Sequence, residues 1–185
     1  MTIRNNSIFY EDSDRSRGVQ LGPNTRRAVV ANNAIYIGNG GRRATCFRLE
    51  AASVVQMDNN LCSLEEDNGS QWTHSSGSLA AWREQTGFDQ NSINGIDPDF
   101  RSPGTADLHA ASSESPLVGA GSPGMASSNS MPDCTAAQGQ WVGSCPAPLL
   151  RGTTPDIGAY QFHSAGGVPT PPAAPVLLPM EPSKE

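Results

Sequence analysis

Asparagine pairs recur at a fixed interval, and that recurrence constrains the fold more than any other feature. Asn5-Asn6, Asn32-Asn33 and Asn59-Asn60 stand 27 residues apart each time. Their flanks repeat in register. Met1 and Ile3, Ala28 and Val30, and Val55 and Met57 precede the pairs; Ile8 and Tyr10, Ile35 and Ile37, and Cys62 and Leu64 follow them. Each flank alternates with period two, as a strand with one buried face does. A third strand shows in two of the units, where Val19 and Leu21 match Phe47 and Leu49 at an offset of 28. Three short strands per unit of about 27 residues are what a parallel β-helix requires, with each strand pairing to its equivalent in the next coil. Stacked asparagine amides can then hydrogen-bond along the stack. The alternative is a turn-rich sandwich of hairpins. It explains one recurrence but not two equal spacings with matched apolar flanks.

Composition agrees with many strands and many turns. Hydrophobic residues make up 36% and charged residues 16%, with 19 glycines and 15 prolines. Glycine and asparagine supply the positive φ that tight turns need, and such a mixture suits long helices poorly. The formal charge of −6 and pI near 5.0 argue against nucleic acid as the main partner. No apolar run reaches membrane-spanning length.

After Leu64 the repeat stops. Glu65 to Ser70 reads as a loop. Ser78-Leu79-Ala80-Ala81-Trp82-Arg83-Glu84-Gln85-Thr86-Gly87 then reads as a short helix, capped by Ser78 and ended by Gly87. Leu79 and Trp82 share one face, which suits a lid over the last coil. Asp97-Pro98-Asp99-Phe100, Ala106-Asp107-Leu108-His109, Ser115-Pro116-Leu117-Val118-Gly119-Ala120-Gly121 and Asp156-Ile157-Gly158-Ala159-Tyr160 follow in order.

This ordered series resembles the closing end of bacterial secreted right-handed parallel β-helix proteins, the pectate-lyase-like superfamily, over residues 1–162. Gly119 and Gln161 stand where that group often has acidic residues, which weakens any catalytic role for the closing segment. The resemblance implies an all-β chain: parallel β-helix coils over 1–64, a closing segment over 65–163 and a proline-rich, disordered tail over 164–185. The last of these holds six prolines. It also implies an extracellular or cell-surface location. Met1 already falls on an inward position with no capping helix before it, so upstream coils are an expected partner of the first one.

Three function classes follow from the resemblance: a polysaccharide lyase, hydrolase or epimerase; a non-catalytic carbohydrate-binding or adhesive module; and a structural spacer. Fold alone does not choose among them. The leading expectation is a protein that binds or processes polysaccharide or a cell-surface glycan, with its main active site outside this chain. Its catalytic residues are not legible. Arg42 and Arg43, in a glycine-rich loop, and Arg26 and Arg27 could hold sugar carboxylates bidentately, or be ordinary solvated arginines. Trp72 with His74 could form a sugar-stacking edge, or Trp72 could pack on the closing helix. His109 and His163 read as structural or exposed. Glu65, Glu66 and Asp67 read as a solvated loop, and Asp97 as a turn former before Pro98.

No cysteine and histidine spacing suggests a metal site, although the family resemblance leaves room for calcium. Cys134 and Cys145 are expected to bridge within one loop, while Cys46 and Cys62 read as small buried apolar residues. Asn5 and Asn68 match the glycosylation pattern, and we read both as accidental.

Overall fold

The computed structural model describes residues 1–11, 16–38, 44–49, 54–64, 71–124, 154–160 and 162. The repeat appears in it as three tiers of three short strands. The first holds β1 (Thr2–Arg4), β2 (Ser7–Tyr10) and β3 (Arg17–Leu21). The second holds β4 (Ala28–Ala31), β5 (Ala34–Ile37) and β6 (Thr45–Leu49). The third holds β7 (Val54–Asp58), β8 (Leu61–Leu64) and β9 (Gln71–Thr73).

Like strands pair in parallel, giving the sheets β1-β4-β7, β2-β5-β8 and β3-β6-β9. Thr2 pairs with Val29, Ser7 with Ala34 and Ala34 with Leu61, each 27 residues on. The expected offset of 28 is met by Val19 opposite Phe47 and Leu21 opposite Leu49. The third tier shortens it, with Thr45 opposite Gln71. Helix is scarce, and strands in parallel sheets dominate.

The asparagines explain the sharp corner between the first two strands of each tier. Asn5, Asn32 and Asn59 have φ of 55°, 54° and 52°. Asparagine tolerates this left-handed region better than other residues that carry a Cβ. The next residue then turns its side chain into the stack.

Two apolar cores flank the middle sheet. Val30, Ile35, Phe47, Met57, Cys62 and Trp72 belong to the first, enclosed among the three sheets. Ala34, Leu61, Phe100, Ala110, Leu117 and Ile157 form the second, on the other face of β2-β5-β8. Phe9 and Tyr36, in register, stack there at 5.2 Å. The middle sheet is thus covered on both faces, which is why every residue of β8 is buried.

Three inward expectations are corrected. Val55 is exposed, because a bulge puts Ala28 opposite Val54 and Val29 opposite Gln56; Val54 takes the packing place. Met1 and Tyr10 are exposed at the outer ends of the first tier. Cys46 and Cys62 are buried as expected but not separate: they form a disulfide from β6 to β8, across the first core, with Cα atoms 6.0 Å apart. Cys134 and Cys145 lie outside the described residues.

Beyond the third tier comes α1 (Leu79–Thr86). The Ser78 side chain accepts the Ala81 N–H, and Gly87 ends the helix at φ 72°. Leu79 and Trp82 are its buried residues. β10 (Ile93–Asn94) adds a fourth strand to the middle sheet. β11 (Phe100–Ser102) and β12 (Asp107–Ala110) pair antiparallel. Asp97 caps the Asp99 N–H at 2.8 Å, as a turn-forming Asx side chain does. Residues 156–160, where the family resemblance implies a final strand, form none. Together with residues 117–122, to which they are bonded, they form an irregular strap held by hydrogen bonds to the tiers.

Candidate functional site

A polar seam runs through the three tiers, exposed at Asn6 and buried at Asn33 and Asn60. Asn6 donates its N–H and Nδ2 to Asn33 Oδ1 at 3.2 and 2.8 Å. Asn33 donates in the same way to Asn60 Oδ1 at 3.1 and 2.9 Å. At the third tier the pattern changes. Asn60 Nδ2 donates to Asp89 Oδ1 at 3.2 Å, and Asn60 N–H to Ser92 Oγ at 2.8 Å. Asp89, at φ 55°, is the terminal rung.

Four side chains donate to this one carboxylate. Ser92 Oγ and Asn60 reach Oδ1, while Trp72 Nε1 at 3.1 Å and Trp82 Nε1 at 2.8 Å reach Oδ2. Arg83 clamps the backbone, with Nε on the Asp89 carbonyl at 2.6 Å and an Nη on the Ser92 carbonyl at 2.7 Å. Asp89 has no exposed surface. Burial pushes its carboxyl above the ordinary aspartate value, and hydrogen bonds from Ser92, Asn60, Trp72 and Trp82 pull the other way.

The first asparagine of each pair faces outward and holds the strap. Asn59 Nδ2 donates to the Ala120 carbonyl at 2.9 Å. Asn32 exchanges two bonds with Ser122, at 3.2 and 2.9 Å. The Gly158 N–H donates to the Asn32 carbonyl at 2.8 Å. Asp156 pins the strap to itself, accepting the Gly119 N–H at 2.7 Å and the Phe162 N–H at 2.5 Å. One dipeptide therefore serves two purposes, an inner ladder and an outer row of strap anchors.

A partly exposed ionisable cluster sits on the β11-β12 hairpin. His109 Nδ1 lies 2.5 Å from Asp107 Oδ1, Arg101 is 3.7 Å from the same carboxylate, and the His109 ring packs tilted by 31° against Tyr160, with centroids 4.1 Å apart. Desolvation opposes ionisation of Asp107. The His109 hydrogen bonds and the charges of His109 and Arg101 outweigh it and hold the carboxyl below its ordinary value. A carboxylate that orients an imidazole is an arrangement acid–base chemistry uses. In this fold it also ties the hairpin to the strap through Tyr160.

Of the residues expected to meet a sugar, Trp72, His74, Arg26 and Arg27 are described. Trp72 is fully buried, its ring against Phe47 at 5.0 Å and its N–H on Asp89, so it has no face for a sugar. His74 is exposed beside it. Arg42 and Arg43 lie outside the described residues. Arg26 and Arg27 are exposed at the turn before β4, with Arg26 on the Pro23 carbonyl at 2.9 Å. Among the described residues no three His, Cys, Asp or Glu side chains converge to hold a metal ion. No described helix is long and apolar enough to cross a membrane.

Asp89, Asp107 and Asp156 were not singled out from the sequence. For Asp89 a signal existed: an aspartate follows the Trp-containing helix, at about one repeat beyond Asn60. The chain matches no family model, no curated protein and no solved structure.

Proposed function

We propose that the chain closes an extracellular, right-handed parallel β-helix that binds or processes acidic polysaccharide. Parallel strands joined through a crossover within one sheet are right-handed in about 98% of cases, which supports the hand. The Cys46–Cys62 bridge supports an oxidising compartment. The observation that carries the ligand class is the outer row of the β1-β4-β7 sheet. Thr2, Val29 and Gln56 stand in register on it, with Thr2 and Gln56 exposed. Arg26 and Arg27, both exposed, enter the same sheet at β4. A flat row beside two guanidinium groups suits an extended polymer that carries carboxylates.

Affinity electrophoresis of the full chain in gels containing pectate, alginate or a neutral glucan tests this reading. Retardation by the polyuronates, reduced in an Arg26→Ala/Arg27→Ala variant, is the expected result. Equal mobility in every gel refutes it. A second reading, a non-catalytic adhesive or structural module, draws on the saturation of Asp89 and Asp156 by donors of this same chain. Retardation without any rise in unsaturated-product absorbance selects it over a lyase.

A further inference from the structure

The inner asparagine ladder has a direction, and Asp89 sets it. A carboxylate accepts hydrogen bonds, so Asn60 must turn Nδ2 towards it and Oδ1 away. Asn33 and Asn6 then follow in the same sense. At the far end of the seam stands Asn6 Oδ1, which accepts from no other described group. In the two tiers below, the equivalent oxygen accepts both the N–H and the Nδ2 of the asparagine 27 residues earlier. Among the described residues the same end carries the unpaired edges of all three sheets, since β1, β2 and β3 each have a described neighbour on one side only. Met1 and Asn5 bond to the second tier, and so do Asn6 and Tyr10. By alternation Thr2 and Phe9 turn their amides to the unpaired side. A cavity of about 410 Å³ opens there, lined by Ile3, Asn6, Ile8, Gly18 and Val19 among others.

We infer that this end is a docking surface for one more tier of parallel strands that brings an asparagine into register over Asn6. Hydrogen-bond polarity excludes a second copy as the occupant. Two copies meeting end to end on this surface would oppose Asn6 Oδ1 with Asn6 Oδ1, two acceptors. Head-to-tail stacking would oppose it with the end closed by Asp89, where the rung is again an acceptor and already takes four donors. A donor must come from the docking tier, and an asparagine preceding by one repeat supplies both N–H and Nδ2. The apolar residues of its strands would cover the half-buried Ile3 and Ile8, continuing the first core.

The test duplicates residues 1–27 ahead of Met1 in the full chain, which places the added asparagine one repeat before Asn6. A monomer whose Tm rises by about 4 °C or more is expected. At least a tenfold slowing of amide exchange at Thr2 and Phe9 is also expected. The same duplication with Asn6→Asp in the added copy replaces the side-chain donor by an acceptor, leaves the backbone N–H, and should give a clearly smaller Tm gain. A peptide of residues 1–27 added in trans reads the same two amides should the longer chain fold poorly. Unchanged exchange in both formats overturns the inference, as does an equal gain from the Asn6→Asp copy. Concentration-dependent protection of Thr2 and Phe9 in the unextended chain would assign the edge to a second copy and overturn it too.

Discussion

The indole N–H of Trp82 donates to Asp89 Oδ2 at 2.8 Å, and this bond joins α1 to the end of the asparagine seam. Trp72, from β9, donates to the same oxygen. Asp89→Asn keeps the shape but offers one acceptor oxygen where two are used, so an amide NH₂ must face either the two indoles or Asn60 and Ser92. Each buried donor left unpaired costs about 1–3 kcal/mol. Urea unfolding should show a lower midpoint for Asp89→Asn with little change in slope. An unchanged midpoint would mean that the seam does not depend on a carboxylate.

Asp89 and Asp107 give opposite pH dependences. The folded pKa of Asp89 is raised above its ordinary 3.8, so its contribution is full below that value and is lost as pH rises through the folded pKa. The folded pKa of Asp107 is lowered, so its contribution is present above 3.8 and is lost as pH falls through the folded pKa. Tm measured from mildly acidic to strongly acidic pH should therefore lose its alkaline-side decline in Asp89→Asn and its acid-side decline in Asp107→Asn. Identical profiles for the two variants would contradict this pairing of groups and slopes.

What the sequence revealed follows from which contacts repeat. A parallel stack sets residue i opposite its equivalent 27 residues on, so Asn6, Asn33 and Asn60 must be alike, and the likeness is visible without a structure. Asp89 is the same rung, but its residue type changes and its spacing stretches to 29, so periodicity hides it. Val55 fits the alternation yet is the extra residue of a bulge, which a pattern of period two cannot register. The Cys46–Cys62 bridge spans two sheets, and nothing in a spacing of 16 residues reveals that their Cα atoms lie 6.0 Å apart. Trp72 read as ambiguous because an aromatic residue after a polar loop suits an edge or a core. The buried acceptor Asp89 and the absence of exposed surface make it core.

That bridge should contribute to stability chiefly by limiting the unfolded chain. For a loop of about 15 residues the entropy model gives about 3 kcal/mol. Replacing Cys46 and Cys62 by alanine together avoids an isolated thiol and should lower the urea midpoint accordingly, while far-UV circular dichroism keeps its strand signature. The midpoint of the unmodified chain should fall similarly in reductant. A double variant as stable as the parent would show that the two sheets are held by packing alone.

Two glycines of the strap test its docking separately from its backbone. Gly158 has φ 104°, and a Cβ there would meet Ser7 Oγ at 2.7 Å and Ala34 Cβ at 3.3 Å. Gly119 has φ 64° but faces open space. Alanine at Gly119 should therefore cost only the left-handed backbone penalty, about 1–2 kcal/mol. Alanine at Gly158 adds a steric clash to the strain, for about 2–4 kcal/mol in all. It also pushes the strap off β2, where the Ala159 N–H now donates to Ser7 Oγ at 3.0 Å. Limited proteolysis should cut Gly158→Ala within the strap well before the tiers unfold, and Gly119→Ala at nearly the parental rate. Equal sensitivity of the two variants would show that the strap is held by its own turns rather than by contact with the first tier.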